Sequence, residues 1–384
     1  MIRLSRRLAD LPPYLFAGLN RRAAEARRSG ADVINLAAGD PDLPPLPHVV
    51  AALREAVGDP AQHRYPPYEG TDALLAAGAR YYRRRFGVGV DPEREAVVLI
   101  GAKEGLAHAA HALLDPGDLA LVPDPAYPVY ASQVRLCGAQ VRSVPLARED
   151  GWMVDFSRVD PTGASVLFLN YPTNPTGATC PPEHLAEAVA FCRDHGLVLV
   201  HDLAYAEITF DGHVAPSVLQ VPGASEVAIE INSLSKTYRM PGMRVGFAVG
   251  NPEVVGAIRT LKSHSDTGQF RAVQAAAVAA LDGPQDHLDE DRSVYQRRRD
   301  RIVAGLKAAG LDPDVPGGAL YVWARVPPGH HAVSYAELAL DRAGVLLTPG
   351  IGYGRRGWDF VRVALTCDDA RLEEALGRLA GLAP

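Results

Sequence analysis

The chain has few cysteines, no long apolar run and no excess of positive charge. Its four cysteines, Cys137, Cys180, Cys192 and Cys367, include no C-x-x-C pair. That pattern offers neither a disulfide scaffold nor a zinc site, and it fits a reducing, cytoplasmic setting. No stretch approaches the roughly 18 apolar residues that a spanning helix needs. The opening MIRLSRRLADLPPYLF has no apolar core behind its arginines, so neither a membrane segment nor a targeting segment is expected. A formal net charge of −6 gives no electrostatic reason to expect nucleic acid or an anionic membrane as partner. The adjacent His330 and His331 lack a third ligand at helical spacing, so no metal is expected. Arginine runs at Arg83 to Arg85 and Arg297 to Arg299 sit in helical patterns beside acidic residues and read as solvated helix faces.

What remains is a chain built for a large core, 47% hydrophobic and 22% charged over 384 residues, a length that suits about two domains. Short apolar or β-branched runs recur: VVLI (97–100), LALV (119–122), SVLFLN (165–170), LVLVH (197–201), VAIEI (227–231) and VGFAV (245–249). Helical stretches such as EGLAHAAHALLD (104–115) and EHLAEAVAFCRDHG (183–196) lie between most of them. The alternation predicts an α/β protein with a covered, mainly parallel sheet. After the last of these strands the pattern changes to long amphipathic helices. A long amphipathic helix, QRRRDRIVAGLKAAG (296–310), precedes ALYVWARV (319–326) and FVRVALT (360–366), which predicts a second α+β lobe.

The chemistry-bearing stretches fall at the C-terminal ends of the predicted strands, where open α/β sheets place ligands. GAKEG (101–105) follows a strand and opens a helix. Gly101 and Ala102 leave backbone N–H groups free to hold an anion at the positive end of that helix. NYPTNPTG (170–177) presents the amide of Asn174 on a stiff turn. HDLAYAEI (201–208) ends a buried strand on Asp202, with Tyr205 three residues on. A carboxylate there needs a cationic partner, either an arginine or lysine of the chain or a protonated heterocyclic nitrogen. SLSKTYRMPGMRVGF (233–247) sets Lys236 between small hydroxyl residues, with Arg244 eight positions later.

Lys236 supplies an amine and Asp202 an anion. Asn174 and Tyr205 supply hydrogen bonds, and Gly101, Ala102, Ser233, Ser235 and Arg244 supply a phosphate cradle. Together they describe a site for pyridoxal 5′-phosphate, an aldehyde that condenses with lysine and draws electrons when its ring nitrogen stays protonated beside a carboxylate.

In the order of these motifs the chain resembles, over nearly its whole length, the class I/II aminotransferases of the fold type I pyridoxal-phosphate enzymes. GAKEGLAHAAHALLDPGDLALVPDPAYPVY, HDLAYAEITFDG and SLSKTYRMPGMRVGFAVGNP are similar to the diaminopimelate subgroup and the related glutamate–pyruvate enzymes. The resemblance implies a large domain with a seven-stranded, mainly parallel sheet between helices, over residues 46–280. It also implies a smaller α+β domain at 281–384 and an N-terminal arm at 1–45 that joins part of the small domain. By position Lys236 corresponds to the Schiff-base lysine and proton shuttle, and Asp202 to the partner of the pyridine nitrogen. Asn174 and Tyr205 correspond to contacts of the ring's phenolic oxygen, and Tyr127 to the aromatic residue stacked on the ring. Ser233, Ser235, Arg244 and Lys103 fall among the cofactor contacts. Tyr65 corresponds to a residue that reaches the phosphate of a neighbouring subunit, which implies a homodimer with shared sites. Arg362 corresponds to the clamp on the substrate α-carboxylate, with Gly39, Asn174 and Tyr14 beside it.

Departures from the family pattern fall on Arg239, where a small residue or Asn is usual, on Asn232, Pro241 and Met243 nearby, and on Leu75. They leave the cofactor-binding core intact and bear on the substrate. Arg239 reads either as a surface residue beside the lysine loop or as a cation for an anionic group of the substrate. The expected activity is transfer of an amino group from an L-amino acid to a 2-oxo acid by a ping-pong route, on diaminopimelate-, alanine- or glutamate-like substrates. The alternative is an elimination, replacement, cyclisation or oxidation enzyme with the same cofactor. A ligand-sensing regulator ranks last, because Lys236 is retained and no DNA-binding segment precedes the domain.

Overall fold

Apolar strand residues that alternate in facing fix the architecture. In the first strand of the main sheet, Ala96 and Val98 pack into one hydrophobic cluster while Val97 and Leu99 pack into another on the opposite face. A strand buried on both faces belongs in the middle of a layered α/β structure. The computed structural model describes residues 2, 5–9, 11 and 15–382. Its strands in chain order are β1 (Ile34–Asn35), β2 (Ala96–Leu99), β3 (Leu119–Asp124), β4 (Gln140–Pro145), β5 (Ala164–Asn170), β6 (Val198–Asp202) and β7 (Ala228–Ser233). They continue with β8 (Gly246–Gly250), β9 (Asp312–Pro313), β10 (Tyr321–Arg325), β11 (Val345–Leu346), β12 (Thr348–Pro349) and β13 (Phe360–Ala364).

Seven strands form the main sheet in the order β2-β8-β7-β6-β5-β3-β4. β8 runs antiparallel to both neighbours, and the pairs from β7 to β4 are parallel. The chain therefore leaves β2, β3, β5, β6 and β7 at one edge and enters β8 there. Residues 101, 127, 174, 202, 233 and 244 converge at that edge although they are far apart in sequence. Leu75, one of the departures from the family pattern, is buried in the core below it.

A second, four-stranded antiparallel sheet, β12-β13-β10-β9, carries Arg362 and Tyr321. Its core joins Ile34 and Leu36 to residues between Tyr295 and Leu379, and reaches Tyr205, Ile208 and Phe210 of the first layer. The short β1 pairs in parallel with β11, which ties the segment ahead of residue 45 to the C-terminal part of the chain.

The long helix begins earlier than its sequence pattern implied, at His287 rather than near residue 296, and ends at Ala308. Its arginines correct a further expectation. Arg298 and Arg299 are 5% and 3% exposed rather than solvated. Arg298 holds Asp42 and Asp369, and Arg299 holds Asp211 and Asp300. Arg85 likewise turns inward to the buried Glu207 at 2.8 Å. Among the described residues no helix is long and apolar enough to cross a membrane.

Candidate active site

The strand ends open onto a cavity of about 770 Å³. Thirteen of the residues singled out from sequence line it: Gly39, Ala102, Lys103, Tyr127, Asn174, Asp202, Tyr205, Ser233, Ser235, Lys236, Pro241, Arg244 and Arg362. Tyr65 does not; it lies on the protomer surface, 84% exposed. Tyr14 lies outside the described residues.

Lys236 sits on the single helical turn Leu234–Thr237, whose N-cap is Ser233, with its hydroxyl facing the Ser235 N–H. Nζ donates to the Gly39 carbonyl at 2.7 Å. Burial strips water from the ammonium and lowers the lysine pKa from its ordinary value, and the nearby Arg362 and Arg244 charges act in the same direction. A depressed pKa raises the share of neutral, nucleophilic amine. Gly39 has little choice of residue, because a Cβ there would fall 2.0 Å from the Tyr321 hydroxyl oxygen.

Asp202 ends β6 beneath the cavity, 5% exposed. Burial raises its pKa, and hydrogen bonds from the Tyr130 hydroxyl at 2.8 Å and the Ala204 N–H at 3.1 Å oppose the rise. Among the described residues no lysine or arginine forms an ion pair with it. Asn170, which ends the adjacent β5, donates to the Asp202 carbonyl at 2.7 Å and accepts from the Asn174 N–H at 2.8 Å. It thereby locks the 170–177 turn to the carboxylate strand.

The anion end of the cavity is built from backbone. Gly101 caps the helix Ala102–Leu113 at φ 79°, a conformation that favours glycine. A Cβ at that position would also fall 2.2 Å from an Arg244 guanidinium nitrogen. Arg244 itself is in the left-handed region at φ 57°, and its guanidinium donates to the Pro241 carbonyl at 2.9 Å. A non-glycine residue held there costs about 1–3 kcal/mol, and such strain concentrates at ligand clamps.

Opposite the lysine, Arg362 on β13 donates to Asn174 Oδ1 at 2.9 Å and to the Ala37 carbonyl at 2.7 Å. Its guanidinium carbon lies 3.8 Å from the centre of the Tyr321 ring and 5.0 Å from that of Tyr353. Its Nε is buried without a hydrogen-bond partner, and among the described residues no carboxylate pairs with the group. A planar guanidinium fixed by neutral acceptors and ring faces is oriented to receive a carboxylate through two parallel N–H groups. Because Asn174 Oδ1 is committed to Arg362, the donor end of that amide is what it has left for a ligand.

Both readings of Arg239 require correction. The side chain is mostly buried, and it is paired within the chain rather than lining the cavity. Its Nε lies 3.0 Å from both oxygens of Asp291, and a second nitrogen donates to the Pro44 carbonyl at 3.1 Å. With φ 51° at Arg239, the turn between the two left-handed arginines is tied to the long helix.

Sequence reasoning passed over Tyr130, Asn170, Tyr321, Tyr353, Asn20, Asn35 and Asp40, of which all but Tyr130 line the cavity. Asn170 had a signal, a polar residue that ends an apolar strand as Asp202 does. Tyr130 follows Tyr127 at helical spacing. Tyr321 and Tyr353 carried none, because they come from the second sheet and its flank.

The residues present fit pyridoxal phosphate. A lysine with a depressed pKa, a buried carboxylate in need of a cation, and a helix N-terminus faced by an arginine match its aldehyde, ring nitrogen and phosphate. The model for aminotransferase class I and II matches residues 31–379. An LL-diaminopimelate aminotransferase of Dehalococcoides mccartyi is 47% identical over 382 residues, 99% of this chain and 98% of that protein. One from Moorella thermoacetica is 47% identical over 378 residues, 98% and 97% of the two chains. A substrate-bound BacF structure from Bacillus subtilis superposes with a TM-score of 0.96 at 36% identity, covering 100% and 98% of the two chains. An aspartate aminotransferase from Thermus thermophilus with maleate gives 0.93 at 34% identity, with 100% of both chains covered. The chain belongs to the class I and II aminotransferases and is a pyridoxal-phosphate-dependent enzyme that transfers amino groups between amino acids and 2-oxo acids.

Proposed function

We propose that this aminotransferase takes its amino group from an L-amino acid of the diaminopimelate class and passes it to a glutamate- or alanine-derived 2-oxo acid. The observation that carries the reading is Arg362, buried on the cavity wall and stacked on Tyr321 without a carboxylate partner among the described residues. The named relatives at 47% identity support the substrate class. When bound, the cofactor supplies an electrophilic carbon for the amine and an electron sink for the bond broken at the substrate's α-carbon.

The chain's residues do the rest. Lys236 Nζ holds the cofactor and, once freed from it, accepts the α-proton and later returns it. Asp202 keeps the ring nitrogen protonated, and Tyr130 and Ala204 hold that carboxylate in place. Asn174 and Tyr205 donate to the ring oxygen, and Tyr127 packs on the ring face. Ser233, Ser235, Arg244, Lys103 and the N–H groups at Gly101 and Ala102 hold the phosphate. Arg362 grips the α-carboxylate, with Gly39 closing that end. Residues 46–280 and 281–384 act as large and small domains, with residues 1–45 as an arm to the latter.

The working unit in this proposal is a cytoplasmic homodimer in which Tyr65 reaches the partner's phosphate. Its 84% exposure supports that role, as does the grip of Arg271 on its carbonyl at 2.8 Å. Mixed dimers of Lys236→Ala and Tyr65→Phe chains are expected to regain one complete site and part of the activity.

The substrate test is a half-reaction. Purified holoenzyme is mixed with single amino acids, and the cofactor spectrum and products are followed. LL-diaminopimelate and glutamate are expected to yield their oxo acids with the cofactor left in its amino form. A shortened or rearranged product with the cofactor unchanged would overturn transamination of that substrate, and reaction only with other amino acids would overturn the substrate class.

A further inference from the structure

The backbone that forms the phosphate cradle has a shared anchor outside the cavity. β2 and β8 end their ladder at the pair Leu99 and Gly246. Beyond it, the Leu99 and Arg244 carbonyls need other donors, since buried carbonyls are rarely left unpaired. One side chain serves both. Gln269 is 9% exposed. Its Nε2 donates to the Leu99 carbonyl at 3.0 Å and to the Arg244 carbonyl at 3.2 Å. A primary amide has two N–H groups, one for each acceptor.

The anchor is itself fixed. The Gln269 carbonyl accepts from Gln274 Nε2 at 3.0 Å, and Gln274 Oε1 accepts from the Thr71 N–H at 2.8 Å. At the other end of the same segment, the buried Lys262 holds Glu104 at 2.6 Å and Asp266 at 2.9 Å. Glu104 in turn accepts from the Ile100 N–H at 3.0 Å, one residue before Gly101.

We infer that Gln269 is a positioning residue for the cofactor phosphate, holding Arg244 in its left-handed conformation against Gly101. The inference rests on the phosphate role of Arg244 proposed above. Without the amide donors the Arg244 carbonyl can rotate, the residue can relax toward an ordinary φ, and the guanidinium leaves the cradle. Gln269 does not line the cavity of its own protomer, so its effect there is expected to pass through Arg244 and the phosphate.

The test compares two ligands on the apoprotein, pyridoxal phosphate and pyridoxal, which lacks the phosphate. Gln269→Met keeps the side-chain length without donors, and Gln269→Leu is a second apolar replacement in case one fails to fold. Both are expected to weaken pyridoxal phosphate by about tenfold, the size of one or two neutral hydrogen bonds, while pyridoxal affinity stays within about twofold. Equal loss for both ligands, or no loss for either, would overturn the inference. Arg244→Ala separates the two levels. If it too fails to discriminate between the ligands, the phosphate reading of Arg244 is wrong. If it discriminates and Gln269→Met does not, only the positioning role falls.

Discussion

Two sets of buried charges in this molecule are treated in opposite ways. Glu230, fully buried on β7, accepts from Tyr82, Ser217, the Val218 N–H and His201. Arg298 is likewise matched by two carboxylates. Among the described residues, Asp202 by contrast has two hydrogen-bond donors and no lysine or arginine, and Arg362 has neutral acceptors and ring faces but no carboxylate. Both kinds of group lose water. Only the first kind has its partners supplied in full from within the fold, four hydrogen-bond donors for Glu230 and two carboxylates for Arg298, and leaving a buried charge short of partners is costly. In the proposed site the difference falls where ligand charges would sit, the ring nitrogen at Asp202 and the α-carboxylate at Arg362.

The sharpest break in the comparison is Lys236→Ala. It is expected to lose the visible absorption of lysine-bound cofactor together with essentially all turnover, measured after free cofactor is removed. A borohydride-reducible band that survived in the variant would reassign the lysine.

Glu230→Ala removes a carboxylate of the paired kind and leaves its donors facing a hole. A loss of about 3–5 kcal/mol in unfolding free energy is expected, read by denaturant titration. Molecules that remain folded should turn over within a few-fold of the parent. A larger loss in turnover than in stability would place Glu230 with the site instead.

Arg362→Lys tests the other kind. A compact ammonium cannot reproduce the two-pronged contact, so KM should rise for donor and acceptor alike by about 1.5–3 kcal/mol, roughly ten- to a hundredfold. A change confined to one substrate would move the α-carboxylate clamp elsewhere.

Arg239→Ala should have the smallest catalytic effect. Its loss leaves Asp291 without its cation and is expected to lower stability by about 1–3 kcal/mol. Anionic and neutral amino acids should be affected equally, as competition assays would show. A selective loss of anionic substrates would return Arg239 to substrate recognition.

Most of the cofactor end was legible in the sequence because its residues lie in short runs that end strands, where local pattern and chemistry coincide. Lys236, Asp202 and Asn174 could be placed without knowing which strand pairs with which. The substrate side was less legible. Tyr321 reaches Arg362 only because β10 pairs with β13 in the second sheet, and Tyr353 because the turn ahead of β13 folds back, and nothing near them in sequence marks those contacts. Arg239 was misread because its partner Asp291 lies 52 residues away on a helix that begins nine residues before its periodic pattern suggested. The Arg297 to Arg299 run looked solvated for a similar reason. Its acids, Asp42, Asp211 and Asp369, come from three distant segments. Long-range pairing, rather than local propensity, decided each of these cases.

The fold buries the Asp202 carboxylate where a ligand cation would meet it, at a cost to its own stability. Burial raises this group's pKa above 3.8 in the folded apoprotein, so the native chain binds the extra proton more tightly than the unfolded one. The cost is absent well below pH 3.8, grows as pH rises through the interval to the raised value, and is fully present above it. Asp202→Asn removes that cost, and the Tyr130 hydroxyl can turn to accept from the new amide. The decisive measurement is apoprotein unfolding against pH for the parent and Asp202→Asn, paired with turnover of the two holoenzymes. The variant is expected to gain on the parent as pH rises and to be at least as stable at pH 7, with turnover reduced by about 3–5 kcal/mol, a thousandfold in order of magnitude. A variant that is less stable at pH 7 and retains near-parental turnover would contradict the claim and make Asp202 a structural carboxylate like Glu230.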